Sequence, residues 1–423
     1  TLPKINRIQE SSEQPTLNRC AWIENVGYHI IKKVEVEIGG YVIDKQYGEY
    51  MYIWSELSRV NNTKRSLDKM IGNVPEMLEY STSKNSYKLH VPLNFWFCTD
   101  SSLSLPIVAL DFAEVKINVE FAALNSLLKL APTHYIDIEE FIVQYNSGDV
   151  IYQDIGGKRV IGEYIAFENM ITSTDSDPIN RLYYNKIDKK EFIAGTIISS
   201  YDGKYQVMAK GVETGDINKQ RNFAWVNTLS IKSTYLLVDY IYLEPSERLK
   251  FVQENCMYLI DVVQFDSDKN LTHNSTKIRL GYSNPCREII IRGQMDYMVP
   301  VNRSCYTLDY FGEEQIIQNI NIIMNGNVRL SNRQSDYFSK VQSFQNHKHM
   351  APNGVFLYSF CLEPNDMRQP TGSVNLSKID DFQINVVANR EVSYNNPAKI
   401  RVYARCYNIL TIFNGFGGLK FSN

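Results

Sequence analysis

The stretch from Val91 to Phe121 constrains the fold of this chain more than any other. Two apolar runs, Val91–Phe97 and Leu103–Leu110, flank a polar turn at residues 99–102, and apolar and polar residues then alternate over Val115–Phe121. Apolar runs bounded by turn residues are typical of strands covered on both faces, whereas alternation is typical of a strand with one solvated face. Each run has a proline near its start, where a missing N–H costs least. The stretch therefore predicts the core of a β-sandwich.

The composition agrees with a large β-rich globular protein. The chain has 423 residues, enough for two or three domains, and 44% of them are apolar. It contains 28 Tyr and 19 Phe, which favour strands over helices. A net charge of −3 provides no basic field, so we expect no direct nucleic-acid partner. The sequence has no apolar run of about 18 residues, so no transmembrane segment is predicted.

The seven cysteines are scattered singly, without a C-x-x-C pair. Most lie in apolar, strand-like contexts, which favours buried reduced thiols and intracellular synthesis. A metal site would require clustered ligands, and the sequence contains no such cluster. The chain begins with Thr1 and shows no signal-peptide pattern, so we expect its natural start to be missing or processed.

Shorter patterns place the remaining elements. Residues 34–43 predict a hairpin that reverses at Gly39-Gly40, and residues 50–57 predict a short helix. Residues 59–90 read as a long loop with a helix at 66–71, and residues 147–230 as a loop-rich insertion with several short strands, such as 191–199. Ser233–Leu243 predicts a strand, and Pro245 predicts the start of a helix that ends near Gln253. Further strands are predicted at 135–145, 258–265, 276–281, 287–291, 316–324, 354–362, 381–387 and 400–413.

Five segments, in order, resemble motifs of the major capsid proteins of nucleocytoplasmic large DNA viruses, the iridovirus, phycodnavirus and mimivirus group. The matching residues of the first two segments are Val34, Glu35, Ile38, Gly39, Gly40, Ile43, Asp44, Tyr47, Gly48, Ile53 and Trp54, then Pro92, Leu93, Phe95, Trp96, Phe97, Leu105, Pro106, Ala109, Leu110, Glu114, Val115 and Ile117. The matching residues of the last three are Val238, Asp239, Tyr240, Leu243, Glu247, Arg248, Phe251, Tyr258, Leu259, Ile260 and Gln264, then 369–377, then 415–423.

The resemblance implies an all-β fold of two consecutive eight-stranded antiparallel jelly rolls, a double jelly roll with short helices and long loops. It implies a first jelly roll over residues 1–245, with its initial strands missing and the insertion at 147–230, and a second over 246–423. The final match indicates a complete C-terminus. The halves show no sequence-level repeat, so the duplication is implied only by the resemblance.

The implied function is structural, not enzymatic. Such a protein forms homotrimeric, pseudo-hexameric capsomers that tile an icosahedral virus shell. Its implied partners are its own copies, neighbouring capsomers and minor capsid proteins beneath the shell. Its implied location is the virion, after assembly in the host cytoplasm. One alternative is a minor capsid or scaffolding protein of the same fold. The other is a carbohydrate-binding or carbohydrate-active β-sandwich, since jelly rolls include lectins.

Several residues invite a chemical interpretation, but each has a simpler structural one. His347 and His349 are spaced as strand-borne metal ligands can be, yet no acidic residue is near them in sequence. The acidic pairs Glu139-Glu140 and Glu313-Glu314 suit solvated turns better than a glycosidase pair. Sequons at residues 61, 270, 274, 302 and 375 lack a secretory context. We therefore predict no catalytic, cofactor-binding or metal-binding residues and no cofactor.

Overall fold

Strands dominate the architecture, as the sequence predicts. The computed structural model describes residues 1–6, 18–60, 62–140, 145–170, 179–216, 224–298, 314–366 and 369–421. Within these ranges the helices are few and short, and none is long and apolar enough to cross a lipid bilayer. The predictions at 7–17, 61, 141–144, 171–178, 217–223, 299–313, 367–368 and 422–423 lie outside the described residues.

The first half contains small antiparallel sheets around a helical segment. Its elements are β1 (Ile5–Asn6), β2 (Arg19–Trp22), α1 (Val26–His29), β3 (Ile31–Ile38), β4 (Tyr41–Tyr47), α2 (Gly48–Ser58), α3 (Lys64–Ile71), α4 (Pro75–Leu78), β5 (Ser83–Lys84), β6 (Val115–Phe121) and β7 (Leu128–Ala131). Strands β4, β3 and β6 form one sheet, and the pairs β1–β5 and β2–β7 form two more. Gly39 and Gly40 join β3 to β4 with φ angles of 58° and 87°, which confirms the predicted hairpin.

A closed six-stranded barrel follows. Its strands are β8 (His134–Ile138), β9 (Val150–Ile155), β10 (Lys158–Met170), β11 (Ile179–Lys186), β12 (Ile197–Ser200) and β13 (Gln206–Asp216). The barrel has its own apolar core, which includes Ile136, Leu182 and Phe192. Five of these strands lie in the interval 147–230, where the sequence predicts several short strands; β10 and β13 are longer than predicted, and the predicted strand 191–199 is limited to β12.

The barrel is fixed to the preceding part of the first half by a specific contact. The buried Glu163 carboxylate of β10 accepts a 2.6 Å hydrogen bond from the Tyr80 hydroxyl and a 3.2 Å hydrogen bond from Asn185. Arg19 of β2 donates to the Ile165 carbonyl at 3.1 Å. Tyr183 belongs to the apolar patch around this contact. The barrel therefore packs against the segment that contains β2 and Tyr80 through paired polar groups.

The second half is a two-sheet sandwich, entered through helix α5 (Pro245–Gln253). Its remaining elements are β14 (Cys256–Gln264), β15 (Lys269–Leu271), β16 (Ser275–Arg279), β17 (Pro285–Met295), β18 (Ile317–Met324), β19 (Asn327–Gln334), a π-helix (Tyr337–Val341), α6 (Gln342–Asn346), β20 (Val355–Ser359), β21 (Val374–Asn375), β22 (Phe382–Ala388), β23 (Ala398–Phe413) and β24 (Phe416–Leu419). One sheet has the order β14-β23-β17-β20, with β15 and β24 paired to β23 and β21 paired to β17. The other sheet has the order β16-β22-β18-β19.

A single apolar core runs through both halves. It includes Val34 and Ile53 of the first half together with Ile290, Ile384 and Val402 of the second. The alternating burial of β22 follows the pleat of a strand with one face in this core. Helix α5 begins with Pro245, as the sequence predicts, and a capping box between Glu244 and Glu247 closes its first turn. The predicted domain boundary at 245/246 falls at this helix and stays a prediction.

Two strand predictions in the first half are wrong. The runs Val91–Phe97 and Leu103–Leu110 form irregular chain with short 3-10 turns, although Phe95 and Trp96 are buried as core residues. Their apolar character reflects burial of side chains, and the prolines at 92 and 106 remove backbone donors that a sheet would use. Only the alternating part, β6, is a strand, with the predicted bounds.

The segment Ser233–Leu243 forms no ladder with any described strand, contrary to the prediction. Its large side chains are exposed, with Tyr242 at 86% and Leu237 at 73%. The start of the segment contacts the N-terminal residue, since the Thr1 ammonium donates a 2.8 Å hydrogen bond to the Ser233 carbonyl. Strand propensity produces a strand only where a neighbour supplies the ladder hydrogen bonds.

Candidate functional site: the junction between the halves

Helix α2 of the first half packs against the large sheet of the second half. Most of the helix is buried, including Glu49, Tyr50 and Trp54. The first residue of the helix, Gly48, lies directly against the preceding backbone. A Cβ atom at this position would lie 2.1 Å from the Tyr28 carbonyl oxygen and 2.2 Å from that of Ile31. Only glycine permits this close approach of the helix start to the preceding backbone.

The first charged group of the junction, the Glu49 cluster, contains Glu49, Asp268, Arg292, Arg401 and Tyr403. Glu49 accepts a hydrogen bond from Arg401 at 3.0 Å and one from the Tyr403 hydroxyl at 2.8 Å, and it also pairs with Arg292. Arg401 in turn binds both oxygens of Asp268, at 2.6 and 2.9 Å. Burial raises the pKa of Glu49, but the charges of Arg292 and Arg401 outweigh it and hold the pKa at about 2. The carboxylate is therefore charged inside the core.

The second charged group, the Glu288 cluster, contains Asp261, Arg287, Glu288, His347 and Arg405. Glu288 lies 2.9 Å from Nε2 of His347 and 2.6 Å from Nη1 of Arg405, and its side chain is fully buried. Arg287 binds both carboxylate oxygens of Asp261 at 2.8 Å. Burial raises the pKa of Glu288, but His347 and Arg405 outweigh it and hold the pKa at about 2.

Helix α2 also covers the Glu288 cluster. The guanidinium of Arg405 lies 3.6 Å from the ring centroid of Trp54, a cation–π contact. The rings of Trp54 and His347 meet edge to face at 6.2 Å. One helix of the first half therefore contacts both charged clusters of the second.

A third polar contact joins the neighbouring strands. Asp44 of β4 is buried, and its Oδ1 accepts a 2.9 Å hydrogen bond from the backbone N–H of Val263 in β14. Lys45 N–H and the Gln46 amide donate to the same carboxylate at 2.9 and 3.0 Å. Burial dominates and raises the pKa of Asp44 to about 7, although these three donors oppose it.

Aromatic rings close the junction beside these contacts. Tyr47 of β4 packs edge to face on Phe265 at 4.9 Å, and Phe265 lies 5.0 Å from Tyr403. Tyr50 of α2 lies 5.6 Å from the same Tyr403 ring. Such pairs add stability beyond their buried area. The ion pairs and hydrogen bonds of the junction are therefore surrounded by packed aromatic side chains.

The junction joins α2 and β4 of the first half to the large sheet of the second half. Its carboxylates are matched by arginines, a histidine, a tyrosine hydroxyl or backbone donors, as buried charges require. Removal of one member of such a pair costs more stability than the pair contributes, because the remaining charge stays buried. Within the described ranges, no group of three or more His, Cys, Asp and Glu side chains is arranged to hold a metal ion.

The structure separates the residues that invite a chemical interpretation. His347 belongs to the Glu288 cluster, whereas Nε2 of His349 lies 3.0 Å from the Arg59 carbonyl oxygen. Glu139 and Glu140 are exposed at the end of β8, and Glu314 is exposed. Glu313 and the sequons at 61 and 302 lie outside the described residues, and the sequon asparagines at 270, 274 and 375 are exposed.

Sequence reasoning missed the junction itself. Asp44 and Trp54 belong to the family motif, but their partners lie more than 200 residues away. One local signal was available, since Arg287, Glu288 and Arg292 interrupt an otherwise apolar strand. Charged residues at positions that strand geometry buries indicate paired charges.

The comparisons with known proteins agree with this architecture. Residues 247–418 match the family model described as "Large eukaryotic DNA virus major capsid protein", and residues 1–154 match "Major capsid protein N-terminus". The chain is 34% identical to the "Probable capsid protein 4" of Acanthamoeba polyphaga mimivirus, over 100% of this chain and 85% of that protein. It is 25% identical to the "Major capsid protein" of Phaeocystis pouchetii virus, over 100% of this chain and 86% of that protein.

A solved structure shows the fold. The "Faustovirus major capsid protein" superposes with a TM-score of 0.61 at 13% identity, over 97% of this chain and 76% of that one. The shared fold is the double jelly roll, as the resemblance implies. On the family models, the mimivirus relative and this fold, the chain belongs to the major capsid proteins of large eukaryotic DNA viruses, structural proteins of the virion.

Proposed function

We propose that three copies of this chain form a capsomer with a pseudo-hexagonal outline, and that such capsomers tile an icosahedral shell. Two jelly rolls per chain give six comparable blocks per trimer. A threefold oligomer can then fill a site of a hexagonal lattice. The closed ring also buries sheet edges that would otherwise pair without limit.

The contacts that join the two halves carry this proposal. If the jelly rolls moved freely, three chains would not present six blocks at fixed angles. The Glu49 cluster, the Glu288 cluster and the Asp44–Val263 contact tie α2 and β4 to β14, β17 and β23. A shared apolar core supports the same coupling. The chain is therefore suited to act as a single block with two similar parts.

The proposed role requires no chemistry and no cofactor. The proposed partners are further copies in the trimer, neighbouring capsomers and minor capsid proteins beneath the shell. The net charge of −3 favours protein contacts over direct contact with the genome. The proposed place of assembly is the host cytoplasm, and the final location is the virion. A minor capsid protein of the same fold is the competing role, because a fold does not fix a function.

Light scattering on the purified chain, combined with negative-stain images of the same peak, tests the proposal. The expected mass is three times the 48.9 kDa of one chain, and the expected image is a hexagonal disc with a threefold axis. A stable monomer or dimer at micromolar concentration would contradict it.

A pair of variants tests whether the junction supports the trimer. Glu49→Gln removes a buried charge, whereas Glu76→Gln makes the same change on an exposed position of α4. We expect Glu49→Gln to lower the trimer fraction and Glu76→Gln to leave it unchanged. Equal trimer fractions for both variants and for the unsubstituted chain would show that the junction is not needed for assembly.

A further inference from the structure

Two cysteines oppose each other across the central strand pair of the second half. Cys286 of β17 and Cys406 of β23 are direct partners in the antiparallel register. Side chains of directly opposed residues point to the same face of a sheet, with Cβ atoms about 4.5–5.5 Å apart. Both residues are fully buried, and their thiols interact directly.

The strand pairing meets the geometric requirement for a disulfide. Bridged cysteines have Cα atoms about 4.4–6.8 Å apart. Directly opposed residues of an antiparallel pair have Cα atoms about 4.5 or 5.5 Å apart, depending on whether they exchange hydrogen bonds. The pair therefore needs no large backbone movement to be bridged. A register shift between Cys286 and Glu288 places a β-bulge beside the pair.

The two thiols also lie at the centre of the sheet, where a bridge would constrain strand pairing. Strand β23 pairs with β14, β15, β17 and β24, so it is the centre of its sheet. A bridge would fix its pairing with β17 and would close the chain between residues 286 and 406. The longer the closed loop, the more a disulfide restricts the unfolded chain.

We propose that Cys286 and Cys406 form an intramolecular disulfide when the protein meets a small-molecule disulfide as oxidant. One cysteine thiolate attacks a sulfur of the oxidant, forms a mixed disulfide and releases one small thiol. The second thiolate attacks the cysteine sulfur of that mixed disulfide and releases a second small thiol. The cysteines lose two electrons and two protons, and the oxidant becomes two thiols.

Burial controls when this reaction occurs. Burial and the neighbouring Cys406 raise the pKa of the Cys286 thiol, which keeps the folded pair unreactive. Oxidation therefore takes place while β17 and β23 are separating or joining. In a reducing compartment the pair stays as thiols, and in oxidising surroundings it becomes a permanent bridge.

Peptide mapping tests the proposal on the whole chain. The protein is incubated near its unfolding midpoint, in one preparation with a small thiol and in a second with the corresponding small-molecule disulfide. Both preparations are then alkylated during denaturation and digested without reductant. The expected result is a 286–406 crosslinked peptide only in the second preparation, lost on reduction. We expect its unfolding midpoint to rise on the order of 5 °C. Alkylation of both residues in both preparations, or a bridge to another cysteine, would overturn the proposal.

A matched control separates this pair from exposed thiols. Cys98 is exposed, so Cys98→Ser removes an accessible thiol without touching the pair. This variant should keep both the crosslinked peptide and the rise in midpoint. The double variant Cys286→Ala with Cys406→Ala should show the same midpoint in both preparations. A midpoint rise that survives in the double variant would overturn the link between this pair and stability.

Discussion

Oε2 of Glu49, in the first turn of α2, lies 3.0 Å from Nη1 of Arg401, which is 352 residues later in the chain. This ion pair joins a helix of the first half to β23, the longest of the described strands. The Glu49 side chain is buried, at 7% exposed, whereas the Arg401 side chain is 32% exposed. Isolated surface ion pairs contribute little to stability, but a buried pair has a large effect when it is broken.

Replacement of Glu49 by Gln should destabilise the chain by about 3–5 kcal/mol, because the change removes the negative charge that faces the buried Arg292. Urea unfolding followed by tryptophan fluorescence measures the change, since Trp54 lies on the same helix. The control Glu76→Gln should change the free energy of unfolding by no more than about 0.5 kcal/mol. A loss below about 1 kcal/mol for Glu49→Gln would mean that the pair is not a structural contact.

The Glu288 cluster should make the protein sensitive to acid. The pKa of Glu288 is about 2 in the folded chain and 4.5 in its unperturbed state. A lowered folded pKa contributes stability that is complete above pH 4.5 and is lost as the pH falls towards 2. Glu288→Gln should therefore lower stability at neutral pH and flatten its dependence on pH between 4.5 and 2. Unfolding midpoints across this range measure both effects, and parallel curves for the variant and the unsubstituted chain would contradict the assignment.

Asp44 should give the opposite dependence on pH. Its folded pKa of about 7 lies above the unperturbed 3.8, so the folded chain holds a proton that the unfolded chain releases. The stability contributed by this proton is complete below pH 3.8 and is lost as the pH rises through 7. For one titrating group, the free energy of unfolding changes by at most about 1.4 kcal/mol per pH unit.

Asp44→Asn tests this assignment, because its amide oxygen can still accept from the N–H groups of Lys45 and Val263. The variant should lose less stability than the unsubstituted chain between pH 5 and pH 8. Urea unfolding at several pH values provides the comparison. If both proteins show the same slope, another group titrates in that range.

The sequence predicted the second half better than the first, for a physical reason. Strands such as β22 and β23 have partners within the same half, and their bounds agree with the apolar pattern within one or two residues. In the first half, the runs around Phe95 and Leu105 are apolar because their side chains pack into the core, not because they form a ladder. Apolar composition records burial, and it does not specify which backbone groups are paired.

The junction could not be predicted from local patterns. Glu49 and Arg401, or Asp44 and Val263, become neighbours only after the two halves fold and dock. The charged residues of β17 gave a local sign that buried partners exist, but nothing in the sequence identified those partners. The family resemblance supplied the fold, whereas the contacts that couple the halves required the structure.

The start of α2 supports a last prediction, because Gly48 leaves no space for a side chain. A Cβ atom at this position would lie 2.1 and 2.2 Å from two backbone carbonyl oxygens, which cannot move as a flexible side chain could. Gly48→Ala should therefore cost about 3 kcal/mol or leave the chain insoluble, since the displaced helix moves Glu49 and Trp54 away from their partners. Gly281→Ala is the matched control, because a Cβ atom there meets no atom within 4 Å. Soluble yield and the urea midpoint measure the difference, and equal values for the two variants would show that α2 can shift without loss of the junction.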